Sequence, residues 1–177
     1  MSIILEGVDA VGKSTVANDI AKKYNYQIVH SGAKEKNDLE YYKDLLLNNN
    51  NLILDRAFIS EIVFSNLYNR KSKLTFSDIM SLSNIVKENN DILIIMISSD
   101  LSIIKNRLIE RGELDYLNEY EDQYNEFMKW IYVLNAYFDD YLNYKVIDIS
   151  KPDSYIKLND WLTWRINEFK GKNYDCR

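Results

Sequence analysis

Short, solidly apolar runs alternate along the chain with longer segments of helical period. Ser2–Glu6 reads as a buried strand. Lys13–Tyr24 follows as a helix, with Val16, Ala17, Ile20, Ala21 and Tyr24 on one face. Tyr26–His30 is a second strand, and Asp38–Leu47 a helix with Leu39, Tyr42, Leu45 and Leu46 inward. Leu52–Asp55 is a third strand, followed by helices over Ser60–Tyr68 and Thr75–Asn89. The second of these opens on Thr75 with Asp78 three residues on, close to a capping box. Asp91–Ser98 is the strongest strand, apolar on both faces, and Leu101–Arg111 a helix stopped by Gly112. A long aromatic-rich helix over Tyr120–Tyr141, a last strand Tyr144–Ile149 and a closing helix Ser154–Lys170 complete the chain. This alternation predicts an α/β fold in three layers: a five-stranded parallel sheet with helices on both faces. No repeat or linker interrupts it, so residues 1–177 are expected to form one domain. In such sheets ligands sit outside the carboxyl ends of the strands, and candidate site residues should follow a strand.

Composition narrows the function. The net charge of −5 disfavours a protein whose main task is coating nucleic acid. The single cysteine, Cys176, allows neither a disulfide nor a cysteine-based metal site within one chain. No apolar run approaches the roughly 20 residues needed to cross a bilayer, and the first residues lack the features of a signal peptide. A cytosolic protein is expected. Glycine is scarce: five residues, where average usage gives roughly twelve. Two of the five fall in Gly7-Val8-Asp9-Ala10-Val11-Gly12-Lys13-Ser14, which matches G-x-x-x-x-G-K-[ST] between a strand and a helix. The glycines let consecutive N–H groups face one anion, and the helix beginning near Lys13 adds its positive end. Lys13 would place its charge on the outer phosphates, and Ser14 its hydroxyl on Mg²⁺.

The longer string Leu5-Glu6-Gly7-Val8-Asp9-Ala10-Val11-Gly12-Lys13-Ser14-Thr15 closely resembles the first motif of thymidylate kinases. Asp55-Arg56 followed by Ser60 resembles the D-R-[YF]-x-x-S element of that family. Arg107 to Asp115 resembles its R-x-x-x-R-G-E-L-D entry to a mobile lid, here about residues 111–121. Ile147 to Pro152 is similar to its last strand and adenine-side loop. These matches run in family order over nearly the whole chain. Departures are His30-Ser31-Gly32 where the family has R-E-P-G, a short Ala33–Asn51 without an arginine, and Tyr116 where many bacterial members carry another arginine. The pattern resembles a shorter group of thymidylate-kinase-like proteins found largely in phages. Phe64-Ser65-Asn66-Leu67-Tyr68 is also similar to deoxynucleoside kinases.

The resemblance implies ATP and Mg²⁺ as cofactors and a nucleoside monophosphate, such as the deoxypyrimidine dTMP, as acceptor. ATP is expected on Gly7, Val8, Asp9, Ala10, Val11, Gly12, Lys13, Ser14, Thr15 and Arg107, with Lys151 and Pro152 on the adenine side. Ser14 and Asp55 are the expected Mg²⁺ ligands, although Asp55 also fits a strand-end turn cap. Arginine is rare beside lysine here, and its guanidinium makes bidentate phosphate contacts. Arg56 and Arg70 are therefore candidates for the acceptor phosphate. Arg107 and Arg111, four apart on one helical face, are candidates for delivery by the lid. Catalysis is expected from Lys13, Asp55, Arg56, Arg107 and Arg111, and acceptor contacts from Asp9, His30, Arg56, Ser60, Glu61, Phe64, Arg70 and Tyr124. Glu6 either faces the acceptor or caps locally. Four arginines and Lys13 suit a transfer between two anions, whereas a nucleoside acceptor needs a base such as Asp55 or Glu6. Three other readings stay open: a deoxynucleoside kinase, a kinase of a modified nucleotide or DNA end, and a nucleotide-binding module without catalysis. A homodimer is implied by the resemblance alone, and neither a membrane nor bulk nucleic acid is expected as a partner.

Overall fold

In the computed structural model of the protein, residues 1–31 and 38–172 are described. Gly32 and Cys176 lie outside them. The strands are β1 (Ile3–Gly7), β2 (Gln27–His30), β3 (Leu52–Asp55), β4 (Ile92–Ile97) and β5 (Tyr144–Asp148). The helices are α1 (Lys13–Tyr24), α2 (Leu39–Leu47), α3 (Phe58–Leu67), α4 (Phe76–Glu88), α5 (Leu101–Arg111), α6 (Tyr120–Tyr137) and α7 (Ser154–Lys172), with a 3₁₀ turn over Leu114–Glu119 before α6. All strand pairings are parallel, in the order β2-β3-β1-β4-β5, and helices cover both faces. Every residue of β1, β3 and β4 is buried, which is why these strands show no polar alternation.

The register brings the strand ends together. Leu5 and His30 both pair with Asp55, and Gly7 pairs with Met96. Gly7 is obligatory: its φ is +130°, and a Cβ there would lie 1.9 Å from the Met96 carbonyl oxygen. Gly112 ends α5 in the left-handed conformation, as the sequence predicts. The capping box of α4 is complete, with Thr75 and Asp78 bonding each other's backbone N–H.

Two helix boundaries differ from expectation. α3 begins at Phe58 rather than Ser60, because its first N–H groups are capped from another strand. Glu6 of β1 accepts from the N–H groups of Ile59 (2.9 Å) and Ser60 (3.1 Å) and from the Ser60 hydroxyl. Glu6 is fully buried in this role, and burial raises its pKa against the pull of those bonds. The capping alternative for Glu6 is thus the one the structure realises. α6 ends at Tyr137 rather than Tyr141, because the chain turns over Phe138–Tyr141 with Asp140 at φ +61°.

Candidate active site

The loop between β1 and α1 wraps its backbone around a concave space. Ala10 and Gly12 adopt positive φ of 58° and 86°, turning successive N–H groups inward at the start of α1. The Lys13 ammonium donates to the carbonyls of Gly7 (3.0 Å) and Val8 (2.5 Å). Burial, and secondarily the Arg56 charge, lower its pKa to about 7. A cavity of about 340 Å³ here is lined by Asp9, Ala10, Gly12, Lys13, Ser14, Thr15, His30, Ser31, Asp55, Arg56 and Arg111. The Ser14 hydroxyl donates to Asp55 Oδ2 (2.7 Å), and His30 Nδ1 lies 3.1 Å from the same oxygen. Among the described residues no group of three or more His, Cys, Asp or Glu side chains converges. The Ser14–Asp55 pair nevertheless fits Mg²⁺, which binds hard oxygens, keeps waters and takes further ligands from nucleotide phosphates.

A second cavity, of about 260 Å³, opens from the first and shares Asp9, Ser31 and Arg56 with it. Tyr42, Ala57, Ser60, Glu61, Phe64, Tyr68 and Arg70 complete its lining. Arg56 follows β3 with φ +68°, an uncommon conformation for a residue with a side chain, held by its N–H bond to the Leu5 carbonyl (2.9 Å). Its guanidinium pairs with Asp9, reaches the Gly7 carbonyl (3.3 Å) and lies 4.6 Å from the Phe64 ring centre. Phe64 stacks on Tyr68 at 6.0 Å and is backed edge-on by the fully buried Phe127. Arg70 lies 3.8 Å from Glu61, which also accepts from Ser65 (2.9 Å). Two hydroxyls of this lining, Ser31 Oγ and Tyr42 Oη, are buried without a hydrogen-bond partner among the described residues. Buried hydroxyls are normally bonded, so their presence here points to a polar ligand.

A third cavity, of about 460 Å³, lies on the other side of the loop among Gly12, Thr15, Val16, Asp19, Arg107, Glu110, Arg111, Tyr155 and Asn159. Arg107, expected both on ATP and at the lid, lies on the phosphate loop: it donates to the Ala10 carbonyl (2.9 Å) and to the Tyr155 hydroxyl (3.0 Å). Arg111 from the same face of α5 lines both this cavity and the phosphate-loop cavity. Tyr155 donates to the Val11 carbonyl (2.6 Å), and its hydroxyl would lie 2.7 Å from a Cβ on Gly12. Lys151, 3.8 Å from Asp148, and Pro152 occupy the exposed turn before α7, and neither lines this cavity.

Of the predicted acceptor residues, Asp9, Arg56, Ser60, Glu61, Phe64 and Arg70 share the 260 Å³ cavity, and His30 lies in its neighbour. Ser60 spends its hydroxyl on Glu6. Tyr124 lines neither cavity: it stacks on Tyr120 at 6.4 Å, half-buried against the core, while Gln123 of the same helix meets the phosphate loop. The sequence reasoning missed Gln123 and Tyr155 as contacts of that loop. Tyr155 was visible only as a core position of the closing helix, and a lone glutamine carries no motif.

The fold is that of the P-loop kinases. A structure of YorR from Bacillus subtilis, described as in complex with phosphorylated GDP, is similar with a TM-score of 0.74 and 22% identity, covering 95% of this chain and 98% of that one. Deoxyadenosine kinase from M. mycoides with bound dCTP is similar with a TM-score of 0.55 and 21% identity, covering 97% and 100%. No protein-family model matches the chain. In sequence it is 32% identical over 116 residues, 63% of its length, to the SPbeta prophage-derived uncharacterized protein YorR of Bacillus subtilis strain 168, covering 69% of that protein. The chain belongs to the YorR family.

Proposed function

We propose that the protein transfers the γ-phosphoryl group of ATP to a nucleoside monophosphate, with a deoxypyrimidine such as dTMP as the leading acceptor. The observation that carries this reading is the pair of communicating cavities. One is a phosphate-binding loop; the other is an aromatic-walled pocket bearing the guanidinium groups of Arg56 and Arg70. Those guanidiniums suit an acceptor that is already anionic. An acceptor phosphate is largely ionised at pH 7, so its oxygen attacks without a general base. A new P–O bond forms on that oxygen, the bond from the γ-phosphorus to the β–γ bridging oxygen breaks, and ADP leaves with that electron pair. Lys13 and the loop N–H groups hold the donor phosphates, and Arg56 and Arg70 hold the acceptor. Arg107 and Arg111 add positive charge beside the loop. Mg²⁺ on Ser14 and Asp55 would neutralise the β- and γ-oxygens when bound.

A second reading, phosphorylation of a nucleoside 5′-hydroxyl, is favoured by the His30–Asp55 contact, since a strand-end carboxylate backed by imidazole suits proton abstraction. The likeness to a deoxyadenosine kinase supports it equally. A homodimer is part of the proposal, supported by exposed Phe76 of α4 and by Met128 and Tyr132 of α6. Incubation with Mg-ATP and a panel of deoxynucleosides and their 5′-monophosphates, following ADP, separates the readings. Turnover with monophosphates is expected, and turnover with nucleosides alone overturns the leading reading.

A further inference from the structure

Gln123 makes a reciprocal pair with Asp9. The Asp9 N–H donates to Gln123 Oε1 (3.0 Å), and Gln123 Nε2 donates to Asp9 Oδ2 (2.9 Å). Only this orientation of the amide serves both partners, because a backbone N–H needs an acceptor and a carboxylate needs a donor. Gln123 is 1% exposed, whereas the Asp9 side chain it holds is 35% exposed at the cavity, so the buried amide anchors a carboxylate that reaches the site. The other carboxylate oxygen of Asp9 takes the Arg56 guanidinium. One glutamine thus fixes the phosphate-loop backbone and, through Asp9, the guanidinium at the junction of the two cavities.

The base that Gln123 stands on is itself fixed. The first turn of α6 is tied to the carboxyl edge of the sheet by Tyr120, whose hydroxyl donates to the Ser98 carbonyl (2.6 Å). Just before it, Glu119 accepts from the hydroxyl of Tyr68, a residue of the acceptor cavity (2.6 Å). The segment that leads out of the 3₁₀ turn therefore meets the site at two points, Glu119 and Gln123, and the sheet edge at Tyr120.

We infer that Gln123 is a positioning residue, which carries the fixed geometry of α6 through Asp9 to Arg56 and the phosphate loop. The inference rests on the kinase reading for its effect on turnover, but its effect on the loop is measurable without an acceptor. The decisive test exchanges donor and acceptor. Gln123→Glu alone sets two carboxylates against each other and removes the donor to Asp9. Adding Asp9→Asn restores both bonds. The carboxylate introduced on α6 then accepts from the new side-chain amide in the loop and from the backbone N–H of the same loop residue. The oxygen of that new amide still faces Arg56. A glutamine that merely fills space predicts that the second change deepens the first. Each variant is titrated with a fluorescent ATP analogue in Mg²⁺ and assayed with an acceptor that the wild type uses, with thermal melting to confirm folding. Gln123→Glu is expected to lose about tenfold or more in kcat/KM and to bind the analogue more weakly, and the double variant Asp9→Asn with Gln123→Glu to recover most of both losses. Gln123→Met, which keeps the volume without the bonds, is expected to lose about tenfold in acceptor kcat/KM. Failure of the double variant to recover analogue affinity, or a folded Gln123→Met with wild-type constants, overturns the inference. A wild type silent on every acceptor counts against the kinase reading alone, since the analogue titration still decides this one.

Discussion

Tyr42→Phe removes one oxygen atom from the wall of the acceptor cavity, and stability and binding should respond in opposite directions. The ring is fully buried and packs edge-on against Tyr41 at 5.2 Å and Phe58 at 6.2 Å, contacts that phenylalanine keeps. The hydroxyl has no partner among the described residues, and burial, together with the nearby carboxylates of Glu6 and Glu61, drives its pKa upward, so it stays neutral. A buried, unbonded polar group costs about 1–3 kcal/mol. Taking the low end, the variant gains about 1 kcal/mol, or about 2–4 °C in melting temperature for a chain of this size. If the hydroxyl instead meets a polar atom of the acceptor, its loss removes a bond of about 0.5–1.5 kcal/mol. That corresponds to a rise in acceptor KM of about 2- to 13-fold. The KM for ATP should not move, because Tyr42 does not line the phosphate-loop cavity. Calorimetry and initial-rate kinetics on the same preparation check both signs. A lower melting temperature, or an unchanged acceptor KM, would refute the reasoning.

Three further outcomes follow from the geometry. Lys13→Ala should cut kcat by about 100-fold or more while leaving the circular dichroism spectrum intact, since the ammonium is the charge held inside the phosphate loop. Gly7→Ala should lower stability by about 3 kcal/mol or more in urea unfolding, because the new methyl must displace the backbone of β4. Asp91 is buried beside the Ser2 N–H (2.5 Å), and burial raises its pKa from 3.8 to about 6. A raised folded-state value means a contribution present below pH 3.8 and lost as pH climbs through 6, on the order of 3 kcal/mol in all. Asp91→Asn should therefore flatten the stability profile between pH 4 and 6 and be more stable than the wild type at pH 8. A parallel profile for the two proteins would show that the carboxyl is not the source.

What the sequence made legible were features whose cause is local. The phosphate loop showed itself because backbone geometry demands glycine at residue 7, and the capping box of α4 because Thr75 and Asp78 sit in one turn. The strands of the centre were plain because burial on both faces removes any polar alternation. What escaped depends on distant partners. The start of α3 is set by a carboxylate 53 residues earlier. The aim of Arg107 is set by Tyr155, 48 residues later. Gln123 meets a loop 114 residues away, and helical period alone does not say which residue of α6 faces it. Gly32 and the segment after it fall outside the described residues.

The central claim is that the phosphoryl group passes to an oxygen that already belongs to a phosphate. It is tested most directly by incubating the protein with Mg²⁺, ATP labelled in its γ-phosphate and dTMP, then locating the label in the product. The account predicts a nucleoside diphosphate with the label in its β-phosphate, formed at a rate that depends on Arg56. Label transferred only to the 5′-hydroxyl of a nucleoside, or released solely as inorganic phosphate whatever the acceptor, would contradict it.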